Sequence, residues 1–218
     1  MIKAIIFDMD GVLVNTEIEY IKQYKTFLEE CKVPTQIEEL YFLAGSSRKI
    51  EHEFLVKKTN YSMDEIIRLK DDYFATHPLN YSKLIKPYVR EILEYLKEKN
   101  IKVALASSSP MKNILEVLDQ CDIRNYFSFI TSGEYFQNTK PDPEIYEFTV
   151  KELNIDKKEI IVVEDSNYGI EAAKRANLKV VAVLDPILNF DTQLADYKIK
   201  SLKELKDIIQ GEIKWLEL

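Results

Sequence analysis

The sequence predicts an α/β protein: a doubly wound parallel sheet, interrupted once by an all-helical insertion. Three observations carry that expectation. Short, nearly unbroken apolar runs occur from residue 2 to the carboxylates at Asp8 and Asp10, then at Ile101–Ala106, Phe127–Thr131, Ile160–Glu164 and Val180–Leu184. Strands read this way when both faces of a sheet are covered. Helical spacing falls after the runs, at 88–99, 111–120, 143–153, 167–176 and 202–210, so strand and helix alternate as in βαβ units. Residues 16–80, between the first run and the second, carry helical patterning and no strand signal. The expected architecture is a Rossmann-like three-layer core made of 1–15 and 81–218, with 16–80 as a helical cap domain.

In chain order, the first strand stops at Asp8-Met9-Asp10-Gly11. Residues two apart on an extended segment point the same way, so both carboxylates can reach one pocket. Two acids that close repel unless a cation or a shared proton intervenes. A hard divalent ion suits such oxygen donors, and Mg2+ is the economical choice. Gly11 lets the backbone turn there. Residues 16–31 then set Tyr20, Ile21, Tyr24, Phe27, Leu28 and Cys31 at helical spacing, with Thr16 as N-cap and Glu17 and Glu19 in the first turn. Pro34 breaks the chain; further helices are expected at 36–43, 47–59 and 63–76, and His77-Pro78-Leu79-Asn80 closes the block.

Composition sets the outer limits. A chain of 218 residues with 46% hydrophobic and 31% charged residues can bury a sizeable core. Net charge is −7 without a long basic stretch, which argues against a nucleic-acid partner. Cys31 and Cys121 lack metal-ligand spacing and read as reduced thiols. No run approaches the roughly 20 apolar residues of a membrane span, and the first strand begins directly after Met1, leaving no room for a signal peptide. A cytoplasmic monomer with no membrane partner is the expectation.

Ligands of open parallel sheets bind outside the carboxyl ends of the strands. The strand exits are Asp8 and Asp10; Ser107-Ser108-Ser109; Thr131-Ser132-Gly133 with Lys140-Pro141-Asp142-Pro143 soon after; Glu164-Asp165-Ser166; and Asp185-Pro186. Acids, hydroxyls and a lysine on one edge are groups that hold a metal and a phosphate. Phosphate monoester hydrolysis asks roughly 20 kcal/mol or more of a catalyst, most of it from positioning and charge neutralisation. One carboxylate can attack phosphorus, and a second can protonate the leaving oxygen and later deprotonate water. Ser107 and Lys140 would donate to the phosphoryl oxygens.

Bland readings compete at each position. Glu164 and Asp165 could be the polar start of the helix at 167–176, Ser107 and Ser109 could cap the helix from 111, and Arg48 could belong to a solvated face. Tyr20, Tyr24 and Trp215 read as packing, and His52 and His77 as incidental.

Asp8-Met9-Asp10-Gly11-Val12-Leu13-Val14-Asn15-Thr16, Ser107 after a strand, Lys140-Pro141 and Glu164-Asp165-Ser166, in that order, resemble the four motifs of the haloacid dehalogenase superfamily, in its phosphatase and phosphomutase branch. The resemblance covers essentially the whole chain. It implies Asp8 as nucleophile, Asp10 as general acid and base, and Ser107 and Lys140 as ligands of the transferring phosphoryl group. It implies Mg2+ held by Asp8, the Asp10 carbonyl and Asp165, with Glu164 as a further ligand, and a cap that closes over the substrate. Gly45-Ser46-Ser47-Arg48 resembles a cap loop facing the active site, which makes Gly45 and Arg48 substrate-binding candidates alongside Ser108 and Ser109.

Within the branch the chain looks most like sugar-phosphate phosphatases and β-phosphoglucomutases. Tyr20 stands where the mutase pattern has a histidine, and Ala44 where it has a lysine. Asn15 replaces the usual aspartate of the cap linker, and Pro110 removes one donor from a second phosphate site. The expected substrate is therefore a small phosphorylated metabolite, such as a sugar phosphate, with hydrolysis ahead of mutase chemistry. A phosphoacceptor signalling domain uses similar groups, but it needs an open face, which a helical insertion would roof.

Overall fold

The computed structural model describes residues 1–46 and 48–211. The reading of Trp215 as packing, and Ser47 at the start of the expected 47–59 helix, fall outside them. Two compact units are formed: Met1–Asn15 with Tyr81–Leu218, and Thr16–Asn80.

The first unit is a parallel sheet with helices on both faces. Its strands among the described residues are β1 (Ala4–Phe7), β2 (Lys102–Ser107), β3 (Phe129–Ser132), β4 (Ile160–Glu164), β5 (Lys179–Val183) and β6 (Tyr197–Ile199). They lie in the order β3-β2-β1-β4-β5-β6, all pairs parallel. The order reverses at β1, which is flanked by β2 and β4, and such a reversal opens a crevice at the strands' carboxyl ends. β1 is buried along its whole length, as a strand covered on both faces must be.

The second unit contains α1 (Thr16–Glu30), α2 (Arg48–Thr59) and α3 (Met63–Thr76), with a 3-10 helix at Ile37–Leu43 between α1 and α2. Ser62 and Glu65 form a capping box that starts α3. Its interior is aromatic: Tyr20 and Tyr24 face Phe74, with ring centroids 6.3 and 5.2 Å apart, and Phe27 faces Tyr73 at 5.4 Å.

Back in the first unit, α4 (Val89–Glu98), α5 (Met111–Gln120), α6 (Glu144–Leu153), α7 (Asn167–Arg175) and α8 (Leu205–Gln210) complete the alternation. Ala4, Ile6, Ala104, Ala106, Ile160 and Val162 share one core with Tyr146 and Val150 of α6 and Ile170 and Ala173 of α7. Their alternate neighbours Ile5, Phe7, Val103 and Leu105 are buried on the opposite face. Helix α6 is pinned to β3 by a buried hydroxyl pair, Thr149 to Thr131, at 2.8 Å.

Three expectations are corrected in detail. The helix expected at 36–43 is a 3-10 helix over Ile37–Leu43, with Gln36 as its N-cap. The third strand starts two residues later than the apolar run: Phe127 closes the preceding turn by donating to the Arg124 carbonyl, and Ser128 donates to the Val103 carbonyl of β2 just ahead of the paired segment. β6 was not expected: a three-residue strand with an exposed Lys198 at its centre leaves almost no pattern to read.

Candidate active site

Asp8 prolongs β1 by one ladder bond, its N–H donating to the Val163 carbonyl at 2.9 Å. The chain then coils. Leu13 and Val14 donate back to the Met9 carbonyl, and Gly11 donates to Val14 at 2.8 Å. Asp10 thus reaches the site through a turn, not through strand alternation, because β1 has already ended. Gly11 makes the turn possible, with φ +76 and no room for a side chain: a Cβ there would lie 1.8 Å from Asp165 Oδ2. Left-handed backbone costs an ordinary residue about 1–2 kcal/mol before any clash. Gly11→Ala is therefore expected to destabilise the protein by at least ~2 kcal/mol, read as a lowered thermal midpoint. An unchanged midpoint would contradict this packing.

Lys140 sits at the centre of the cluster. Its ammonium donates to Asp8 Oδ1 at 2.6 Å, Glu164 Oε1 at 2.6 Å and the Ala106 carbonyl at 3.1 Å. A lysine has three donors, so all are engaged, and a phosphoryl oxygen would have to share or replace one acceptor. Lys140, Asp8 and Glu164 are all almost wholly inaccessible. Burial works to lower the Lys140 pKa, but the Asp8 and Glu164 carboxylates outweigh it and hold the ammonium well above its usual range. For Asp8, burial dominates. With the Glu164 and Asp10 charges it pushes the carboxyl up to about 8, against the pull of Lys140.

Glu164 closes β4 with every oxygen occupied. Oε1 accepts from Lys140 and from the Tyr146 phenol at 2.7 Å, while Oε2 accepts from the backbone of Asp165 at 3.0 Å and Ser166 at 3.3 Å. The cap of α7 is Ser166, which accepts from Gly169 at 3.1 Å, so the helix-start reading of Glu164 and Asp165 does not describe their contacts. Asp8, Glu164 and Asp165 each offer a buried carboxylate oxygen, all within 4.8 Å of one another.

The loop after β2 faces the same cluster. Ser107 is buried, and its Oγ accepts from the Ser109 N–H at 3.1 Å. The Ser109 hydroxyl donates to Asp10 Oδ2 at 3.0 Å, and the N-cap position of α5 is held by Pro110, without a side-chain capping bond. Ser108 is exposed and its backbone presses on Gly133. Gly45 and Arg48 belong to the helical unit: Gly45 takes φ +66 and donates to Glu17 at 3.0 Å, and Arg48 is an exposed first residue of α2. His52 and His77 contact Lys70 and Tyr73 within that unit.

Sequence reasoning missed two residues here. Lys86 donates to the Gly11 carbonyl at 2.5 Å; burial pushes its ammonium down, against the Asp165 and Asp185 carboxylates. Tyr146 occupies an apolar-face position of α6, where a tyrosine reads as core.

Comparisons with known proteins identify the family and the fold. A family profile described as haloacid dehalogenase-like hydrolase matches residues 5–183. A phosphorylated carbohydrates phosphatase of Thermotoga maritima is 34% identical over 209 residues, covering 95% of this chain and 96% of that one. A beta-phosphoglucomutase of Bacillus subtilis is 30% identical over 218 residues, 93% and 94% of the two chains. The crystal structure of a beta-phosphoglucomutase from Clostridium difficile superposes with a TM-score of 0.77 at 29% identity, over 97% of this chain and 96% of that one.

Proposed function

Since the chain belongs to the haloacid dehalogenase-like hydrolases, we propose that it is a Mg2+-dependent phosphatase of a small phosphorylated metabolite, working through an aspartyl-phosphate on Asp8. One observation carries this reading: Lys140 lies 2.6 Å from Asp8 inside a buried cluster that also holds Glu164 and Asp165. The donors fit a divalent ion, because buried carboxylate oxygens outnumber the lysine that faces them and Asp8 holds its proton up to about 8 without further positive charge. Asp8, the Asp10 carbonyl and Asp165 would hold it. When bound, the ion supplies charge neutralisation between carboxylate and phosphate.

The chain's own residues then divide the work. An Asp8 oxygen attacks phosphorus and the bond to the leaving oxygen breaks, while Asp10 gives that oxygen its proton. Ser109 holds the Asp10 carboxyl in place at 3.0 Å. Water next attacks phosphorus, Asp10 takes its proton, and phosphate leaves with Asp8 restored. Ser107 keeps its hydroxyl proton to donate to a phosphoryl oxygen, and Ser108 lies beside it. Lys140 keeps Asp8 oriented and its charge balanced. To Gly45 and Arg48 of the helical unit, as its cap, we assign a share in substrate choice.

The relatives carry both phosphatase and mutase names. Tyr20 and Ala44 supply no cation for a second phosphate, so hydrolysis is the reading adopted. A panel of phosphorylated sugars assayed with and without Mg2+ tests it, with β-glucose 1-phosphate plus a bisphosphate primer as one arm. Phosphate release that requires Mg2+ is expected; glucose 6-phosphate appearing faster than phosphate would make the enzyme a mutase.

Proton linkage offers a separate check. Below pH 8 the metal-free Asp8 carboxyl is mostly protonated, and a metal ligand must give that proton up. Mg2+ binding at pH 7 is therefore expected to release close to one proton, and affinity to rise by up to about tenfold per pH unit until about pH 8, then level. Calorimetry in buffers of different ionisation enthalpy measures both; a binding constant flat between pH 6 and 8 would refute the assignment of Asp8 as ligand.

A further inference from the structure

Building on the metal reading above, we propose that Tyr146 is a positioning residue that sets metal selectivity: its phenol fills the last acceptor site of Glu164 and keeps that carboxylate out of the metal's ligand shell. Tyr146 is fully buried in the first turn of α6, and the Thr149–Thr131 hydroxyl contact one turn on fixes that helix against β3. Its hydroxyl donates to Glu164 Oε1 at 2.7 Å, and its ring centroid lies 4.9 Å from the Lys140 ammonium.

An ionised carboxylate accepts about four hydrogen bonds, two per oxygen. Lys140 and Tyr146 take Oε1; the Asp165 and Ser166 N–H groups take Oε2, where the Ser166 hydroxyl also lies at 3.3 Å. The backbone of α7 closes the remaining side, since a Cβ on Gly169 would lie 1.8 Å from Oε1. Glu164 is thus near enough to Asp8 and Asp165 to join them around an ion, within 4.8 Å, yet has no lone pair to give. The arrangement is mutual, because a buried phenol with no acceptor would itself be costly.

Withholding one carboxylate has a chemical consequence. Mg2+ keeps several waters and makes do with one or two carboxylates, whereas Ca2+ takes 6–8 oxygens and gains from every added carboxylate. A site that holds Glu164 back favours the smaller ion. Tyr146→Phe fills the same space, returns one lone pair to Glu164 and opens the shell to it.

The experiment is calorimetric titration of the metal-free protein with Mg2+ and with Ca2+, so the readout is binding rather than turnover. Tyr146→Phe is expected to shift the Ca2+/Mg2+ affinity ratio toward Ca2+ by roughly fivefold or more. Glu164→Gln, in the presence of the tyrosine, is expected to leave the ratio within about twofold of wild type, because the lost charge weakens both divalent ions alike. A folded Tyr146→Phe protein with an unchanged ratio overturns the proposal. So does a shifted ratio in Glu164→Gln, which decides the matter even if the phenylalanine variant does not fold. Wild-type protein that binds no Mg2+ removes the metal reading and this proposal together; wild-type binding with an unchanged ratio removes this proposal alone.

Discussion

Asp8→Asn is expected to lower phosphate release by roughly 10^4-fold or more while leaving the metal-free fold at least as stable as wild type. The first half follows from the proposed nucleophile: an amide oxygen does not form the covalent intermediate, and losses of this size are usual when a nucleophile is removed. The second half follows from charge. Asp8 has its carboxyl pushed up to about 8 in the folded protein, chiefly by burial, against about 3.9 in an unfolded chain. Below both values the proton is on in both states and ionisation contributes nothing. As pH rises from about 4 toward 8, the unfolded chain sheds the proton while the folded one retains it, so wild-type stability without metal declines through that window. Asparagine cannot titrate and keeps an acceptor for Lys140. The variant should therefore match wild type near pH 4 and gain on it toward pH 8, read by denaturant unfolding in the presence of a chelator. Turnover within tenfold of wild type would eliminate Asp8 as nucleophile, and a stability deficit that widens with pH would eliminate the electrostatic account.

How legible all this was depends on whether a residue's meaning is local. Asp8, Asp10, Ser107, Glu164 and Asp165 sit at or just beyond strand ends, and parallel-sheet topology dictates that such ends converge, so apolar runs and their exits found them. Lys140 lies eight residues beyond β3, and the order of motifs, not periodicity, singled it out. Tyr146 and Lys86 stayed hidden for the opposite reason. A tyrosine in the buried stripe of α6 has the same pattern as a core residue, and a lysine before Pro87 has the pattern of a loop; only tertiary contact with Glu164 and with the Gly11 carbonyl distinguishes them. By sequence, Ser109 fits either a cap of α5 or a substrate ligand; in the fold its hydroxyl meets Asp10 instead, a partner 99 positions away that no local pattern encodes. β6 was missed because three residues with alternating exposure carry too little signal beside a loop-rich segment.

Lys140→Met is expected to damage both stability and rate. Two acids, Asp8 and Glu164, share this ammonium at 2.6 Å each, and neither has more than a tenth of its side chain exposed. Removing one member of a buried ionic cluster leaves uncompensated charge and costs roughly 3–5 kcal/mol. Methionine retains most of the side chain's volume, so a cavity contributes little. Turnover should fall by roughly 10^2–10^3-fold, the usual loss when a preorganised donor is taken from a water-excluded site. The two effects are separable by a second change. Asp8 holds its proton up to about 8, so the charge orphaned near neutral pH is that of Glu164. Glu164→Gln added to Lys140→Met removes it and should return a substantial part of the lost stability while returning little of the lost rate, since the ammonium beside Asp8 is still missing. Stability is read by denaturant unfolding and rate by saturating-substrate assays on the folded fraction. A double variant no more stable than Lys140→Met would mean that Glu164 does not depend on Lys140 for its charge. A double variant with restored turnover would mean that Lys140 serves only to neutralise Glu164, and that Asp8 is held for attack by other groups.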